Sequence, residues 1–249
     1  MTPSPRADET LDCILLGKIQ LLQGRHGYRT AIDAPLLAQF SAEQRPDAAT
    51  ALDLGAGTGL VAILLARALR GLRVHLLETQ PALLDRARRN AQLNGVADRL
   101  TVVAGDVVTP PPLPCPFDLI TCNPPYLPGR QGHFPRDPER RIAHQETSAN
   151  LRQFCQAAAA AMDVTSVSCW VFPHHDRARL FTALRDAQLA DLAVADVRHR
   201  PRDSSARRVL VSARRGRERI VQLPDRAIHP QDQVDSVFDA EFTAFLQRL

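Results

Sequence analysis

Short apolar runs alternate with stretches of helical periodicity along most of this chain. ATALDL (49–54) has the length and continuity of a buried strand, and LVAILLARALRG (60–71) repeats its apolar residues at helical spacing and closes on Gly71. LRVHLLE (72–78) is a second strand, a helix runs from Pro81 to about Asn94 and stops at Gly95, and RLTVVAGD (99–106) and FDLITCN (117–123) are two more strands. LRQFCQAAAAAM (151–162) predicts a helix, VSCWVF (167–172) a strand, and Ala178–Gln188 a further helix. Strands separated by helices pair in parallel, because a parallel neighbour needs a crossover connection. LAVADVRHR and RRVLVSARR have no helix between them, which predicts an antiparallel pair at the sheet edge. An apolar helix over 234–249 ends the chain.

Ahead of this regular region, LDCILL and KIQLLQ flank Gly17 and predict a hairpin. Asp33 then opens a helix with Pro35 in its first turn. The pattern as a whole predicts an α/β fold. Its sheet has seven strands, mostly parallel with an antiparallel edge strand, and carries helices on both faces. An N-terminal extension (1–45, hairpin plus helix) packs on a main domain (46–249) with a C-terminal helical tail.

Composition narrows the class. With 45% hydrophobic and 23% charged residues over 249 positions, the chain is that of a globular protein able to build a core without disulfides or metals. No stretch approaches the ~20 apolar residues of a membrane span and MTPSPRADETLD lacks a signal-peptide core, so a cytoplasmic protein is expected. Cys13, Cys115, Cys122, Cys155 and Cys169 form no C-x-x-C pair and no zinc spacing, which points to reduced thiols and no metal. Charge adds a partner. Between Arg198 and Arg219 stand nine arginines (198, 200, 202, 207, 208, 214, 215, 217, 219) against Asp203 and Glu218, in a chain whose whole net charge is +4. A strip of that density suits an anionic partner, nucleic acid first.

The candidate chemistry sits at strand ends. Asp53, Gly55, Gly57 and Gly59 form D-x-G-x-G-x-G where a strand passes into a helix, and glycines there let a ligand approach the backbone. Leu60 stands where a dinucleotide fingerprint needs Gly or Ala. Asp53 is expected to order the loop. Glu78, ending the next strand, can accept both hydroxyls of a ribose. Asp106, ending the third, can accept from an adenine amino group or serve as a turn residue. Asn123-Pro124-Pro125-Tyr126 ends the fourth: the prolines stiffen the turn, Asn123 and the carbonyls offer acceptors for a planar amino group, and Tyr126 can stack on its ring. The scattered histidines (His26, His75, His133, His144, His174, His175) are read as solvated or structural.

In this order the motifs resemble the class I S-adenosylmethionine-dependent methyltransferases, Rossmann-like enzymes, of the group that modifies amino or amide nitrogens. The earlier series Leu22-Gln23-Gly24-Arg25-His26-Gly27-Tyr28-Arg29, followed by Asp33 and Leu36-Leu37-Ala38, resembles the bacterial tRNA1(Val) (adenine-37-N6)-methyltransferase family over about residues 10–215. The chain departs from it at Ile142-Ala143-His144-Gln145-Glu146 and at Phe238, where relatives carry an Ala-Arg-His-Glu-like stretch and a tyrosine. The resemblance implies a methyl transfer from S-adenosyl-L-methionine to the N6 of an adenine in tRNA. It gives cofactor binding to Asp53, Gly55, Gly57, Gly59, Glu78 and Asp106, with Arg29 and Asp33 nearby, and the target amine to Asn123, Pro124, Pro125 and Tyr126. A protein-glutamine N5 methyltransferase, a guanine-N2 ribosomal RNA methyltransferase and a catalytically silent RNA-binding module are the alternatives.

Overall fold

The computed structural model describes residues 2–26, 29–126, 149–229 and 240–249. In chain order, a hairpin of β1 (Glu9–Ile14) and β2 (Ile19–Gly24) precedes α1 (Asp33–Gln44), β3 (Thr50–Leu54), α2 (Leu60–Ala68), β4 (Arg73–Glu78), α3 (Pro81–Leu93) and β5 (Leu100–Ala104). After β6 (Leu119–Cys122) come α4 (Leu151–Ala160), β7 (Val167–Pro173), α5 (Arg177–Asp186), β8 (Asp191–Arg198), β9 (Arg208–Arg214), β10 (Arg219–Gln222), β11 (Arg226–Ala227) and α6 (Ala240–Arg248). Gly27, Tyr28, His133, the 142–146 stretch, Phe238 and the start of the helix expected from 234 lie outside the described residues.

The sheet order is β10-β8-β9-β7-β6-β3-β4-β5, with β11 also paired to β8. The seven expected strands are all present, and β9 is antiparallel to both of its neighbours. It is not the edge, however. The sheet counts nine strands, because β10 and β11 pair in parallel with β8 beyond it. Both are short, β10 being four exposed residues and β11 two half-buried ones, so no apolar run long enough to predict a strand marks them.

Period-two alternation sorts the strands between two cores. On β7, Val167, Cys169 and Val171 face α1, α2, α3 and α6, while Trp170 and Phe172 face α4 and α5. Helices therefore cover both faces, and the strands they cover are apolar on both sides. The cysteines are free: Cys122, Cys155 and Cys169 buried, Cys13 and Cys115 exposed. Among the described residues, no helix is long and apolar enough to cross a membrane.

The hairpin forms a separate two-stranded sheet held on α3. Asn90 and Asn94, one helical turn apart, act as a substitute strand for β2. Asn90 accepts from Leu22 N (2.7 Å) and donates to Leu22 O (3.2 Å), and Asn94 does the same for Gln20 at 3.1 and 2.7 Å. The buried Glu9 on β1 accepts from Arg86 Nε at 3.2 Å and from Arg89 at 2.8 Å.

Candidate active site

The order in which successive strands are added reverses at β3, with β4 and β5 on one side and β6 and β7 on the other, all of them parallel. In open α/β sheets, ligands bind outside the carboxyl ends of the strands at such a switch point. A cavity of about 470 Å³ opens there, within the usual range for a small-molecule site. It is lined by Arg29, Asp53, Gly55, Gly57, Glu78, Asp106 and all four residues from Asn123 to Tyr126.

Local geometry explains the glycines. Gly57 adopts φ +57°, a left-handed conformation that costs other residues, and its amide donates to Glu78 Oε2 at 2.9 Å. Glu78 Oε1 also accepts from Thr79 N and Gln80 N, both at 2.9 Å. This carboxylate, 6% exposed, thus ties the end of β4 to the loop after β3. Gly59 does not line the cavity. At φ +83°, a Cβ there would meet Leu76 at 3.1 Å and Ala87 at 3.3 Å, so it lets α2 and α3 close on β4. The structure gives Gly59 this packing role.

Asp53 also differs from expectation. The loop is ordered by Glu78, whereas Asp53 Oδ1 accepts from Thr121 at 2.7 Å and its buried Oδ2 has no hydrogen-bond partner among the described residues. Burial pushes the Asp53 carboxyl up to about 7; the Thr121 hydroxyl opposes the shift and the Glu78 charge adds to it. Asp106 Oδ1 accepts from Val108 N at 2.9 Å, so it is a turn residue as well as a wall of the cavity. Arg29 is held by Asp12 (2.6 Å), Thr10 (3.1 Å) and Gly24 O (3.2 Å), which brings the N-terminal hairpin to the site.

At the other end of the cavity, Tyr126 Oη lies 2.8 Å from Asp33 Oδ2 and also reaches Asn123 Oδ1. Arg208 Nε is 3.0 Å from both Asp33 oxygens, and its guanidinium lies 5.5 Å over the Tyr126 ring. Phe172 meets that ring edge-on at 5.6 Å. Sequence reasoning left out Phe154, His175 and the site role of Arg208, all of which line the cavity. No local motif marks them, since each comes from an element far away in the chain.

The arginine strip does not survive as one surface. Because β8 and β9 run antiparallel, Arg198 to Arg208 lie at the end of the sheet that carries the site. Arg214, paired in register with Asp191, and the residues after it start from the opposite end. Arg198 pairs with Asp225, Arg208 with Asp33 and Arg219 with Asp191, and Arg215 donates to Ala159 O at 2.6 Å. The candidate contact strip from Arg198 to Arg219 is thus divided between the two ends of the sheet, and within it Arg208 is ion-paired with Asp33. Of the histidines, His174 lies 3.3 Å from Asp196, and burial lowers the pKa of His75, which packs edge-on to Phe117.

Residues 32–136 match the family model described as the methyltransferase small domain. A release factor glutamine methyltransferase of Chlorobaculum tepidum is 41% identical over 85 residues, covering 33% of this chain and 29% of that protein. A tRNA1(Val) (adenine(37)-N6)-methyltransferase of Porphyromonas gingivalis is 34% identical over 140 residues, covering 52% of this chain and 53% of its own length. The chain thus spans about half or less of these two relatives. One of the same name from Flavobacterium psychrophilum is 26% identical and covers 66% and 69%. Among solved structures, a protein of Agrobacterium tumefaciens described as a predicted O-methyltransferase superposes with a TM-score of 0.68 at 22% identity, covering 87% of this chain and 96% of that one. The hMettl16 catalytic domain in complex with a 3′UTR hairpin superposes with a TM-score of 0.58 at 15% identity, covering 80% and 75%. Both likenesses are of fold.

Proposed function

We propose that this chain, whose residues 32–136 are a methyltransferase small domain, transfers a methyl group from S-adenosyl-L-methionine to the exocyclic N6 of an adenine in tRNA, in the anticodon loop. One observation carries the reading. The Asn123–Tyr126 turn and the glycine loop with Glu78 open into a single cavity, so an amine held by one faces a ligand held by the other.

The lining suits that cofactor. Glu78 stands beside Gly57 at the end of β4, where a carboxylate accepts from ribose hydroxyls. The buried Asp53 Oδ2, still without a partner, suits a cationic group. Phe154 and Val107 supply apolar walls for a flat ring, with Asp106 at its edge. S-adenosylmethionine, when bound, supplies a methyl group already activated for direct displacement.

What the protein contributes is position. An adenine amino nitrogen is a poor nucleophile because its lone pair is delocalised into the ring. Acceptance of its two hydrogens by Asn123 Oδ1 and the Pro124 carbonyl favours a more tetrahedral nitrogen, whose lone pair can point along the line of attack. Good orientation of this kind contributes up to about 7–11 kcal/mol. Once the new C–N bond has made it acidic, the nitrogen gives its proton to solvent, the methyl's former bonding pair staying with the cofactor, so no side chain need act as a base beforehand. The base must leave its stack to enter the cavity, which is least costly from a single-stranded loop. Arg200, Arg202 and Arg207, at the site end of the sheet, are the candidate phosphate contacts.

The relatives named as tRNA adenine methyltransferases match over 107–193 residues, and those named as glutamine methyltransferases over 85–96. The longer matches support tRNA. The higher identity of the C. tepidum relative supports glutamine as the second reading, since a side-chain amide is also a planar NH2. Labelled cofactor, bulk tRNA and nucleoside mass spectrometry decide between them. Labelled N6-methyladenosine is expected, and labelled methylglutamine in a protein digest, with unlabelled tRNA, refutes the tRNA assignment. Asn123→Ala should lower turnover by about 10²-fold or more with cofactor affinity nearly unchanged, because the lost acceptor belongs to the amine end of the cavity.

A further inference from the structure

Tyr126 has one hydroxyl proton and, among the described residues, two side-chain acceptors within reach of it. Its Oη lies 2.8 Å from Asp33 Oδ2 and closer still to Asn123 Oδ1. The two outcomes differ in consequence. Donation to Asn123 takes up one of the amide oxygen's two lone pairs and draws on the density of the other. Donation to Asp33 leaves the amide oxygen whole for an incoming N–H.

The surroundings of Asp33 favour the second outcome. Asp33 opens α1, is 4% exposed, and has Arg208 Nε 3.0 Å from each carboxylate oxygen. A carboxylate accepts a hydrogen bond more strongly than an amide oxygen does. The ion pair fixes the direction of the Asp33 carboxylate toward Tyr126. The ring has little freedom to carry its hydroxyl elsewhere, because Arg208 lies 5.5 Å above its face, Phe172 packs on its edge, and Arg179 donates to its main-chain carbonyl at 2.7 Å.

We propose that Asp33, set by Arg208, is a positioning residue that holds the Tyr126 hydroxyl proton off Asn123 and so keeps the Asn123 amide oxygen free for the substrate's amine. The proposal rests on the reading of Asn123 as the amine acceptor. It applies equally to an adenine and to a glutamine amide, because both present the same planar NH2.

The test reads the proton's position without substrate. In ¹H–¹⁵N spectra of the full chain, the Asn123 side-chain amide signals should shift when Asp33→Asn removes the charged acceptor and turns the hydroxyl toward Asn123. In a Tyr126→Phe background, the same Asp33→Asn change should leave those signals in place. Turnover follows the same logic. Asp33→Asn should cost about 10-fold or more with Tyr126 present, cofactor affinity unchanged, and much less when compared within the Tyr126→Phe background. A purely structural role predicts equal loss in both backgrounds, and that result overturns the proposal, as does an Asn123 signal indifferent to Asp33→Asn. Should Asp33→Asn not fold, Tyr126→Phe alone decides: Asn123 signals close to wild type support the proposal, and a large shift refutes it. A wild-type chain that methylates no amine would sink the functional reading, while the spectra would still report where the proton lies.

Discussion

Asp53 is a residue of the cavity that departs far from its ordinary chemistry. A fully buried carboxyl with one oxygen unpartnered is costly to ionise, and its pKa is accordingly pushed up to about 7. In the unfolded chain an aspartate titrates near ~4. The native state therefore holds a proton that the unfolded chain has lost between about pH 4 and 7, and folding stability falls as pH rises through that window. Asp53→Asn removes the dependence, so the melting temperature of wild type should decline relative to the variant between about pH 4 and 7 and then stay level. The cavity adds a second consequence. A cationic ligand beside Oδ2 lowers the pKa again, and calorimetry at about pH 6 in buffers of different ionisation enthalpy should show proton release on S-adenosylmethionine binding by wild type. Equal proton release by Asp53→Asn would assign it to another group.

Among the elements, the hairpin and α3 form one unit, and the site depends on it. Asn90 donates to Thr58 O at 3.0 Å as well as pairing with β2, and Gln23 accepts from Thr30 N at 2.7 Å, so the glycine loop, the hairpin and the Arg29 segment share supports. Glu9 secures the far strand. The Arg89 and Arg86 guanidiniums hold its carboxyl down to about 2 against the opposing effect of burial. A depressed carboxylate stabilises above its unfolded value and loses that contribution as pH falls toward about 2. Breaking a buried pair of this kind costs about 3 kcal/mol, and Glu9→Gln should lower the melting temperature by roughly 6–12 °C at neutral pH. Thermal unfolding at pH 7 and at about pH 3 checks both parts, with the gap between wild type and variant narrowing in acid. A gap that widens in acid would rule out Glu9 as its source.

For the whole molecule, the antiparallel return of β9 decides which arginines can meet a substrate. Those between Arg198 and Arg208 share the sheet end of the cavity, and Arg214 to Arg219 do not. Replacing Arg200, Arg202 and Arg207 by glutamine should shallow the dependence of log K on log salt by about 0.7 for each true phosphate contact, with base preference intact. Replacing Arg214 and Arg217 should leave the slope as it is. Filter-binding titrations with tRNA over a range of salt make the comparison. Equal effects at the two ends would mean that position on the sheet does not select the contacts, and would remove the support they give to an RNA substrate.

Local pattern was enough to read the order of the elements other than β10 and β11, the parallel pairing from β3 to β7, and the residues at the ends of β3, β4, β5 and β6. Each of those features is set by neighbours within one turn or one strand: apolar spacing, glycines at a strand-to-helix turn, and prolines after an asparagine. The tertiary structure alone decided what lies between elements. Gly59 turned out to be a packing position because α3 passes over it, and Glu78 orders the loop because β4 lies beside β3. Arg208 became part of the site because β9 inserts beside β7 and starts over Asp33, 175 positions away in the chain. Partners that distant meet only once the sheet has closed its strand order, and nothing in the composition of either segment records the meeting.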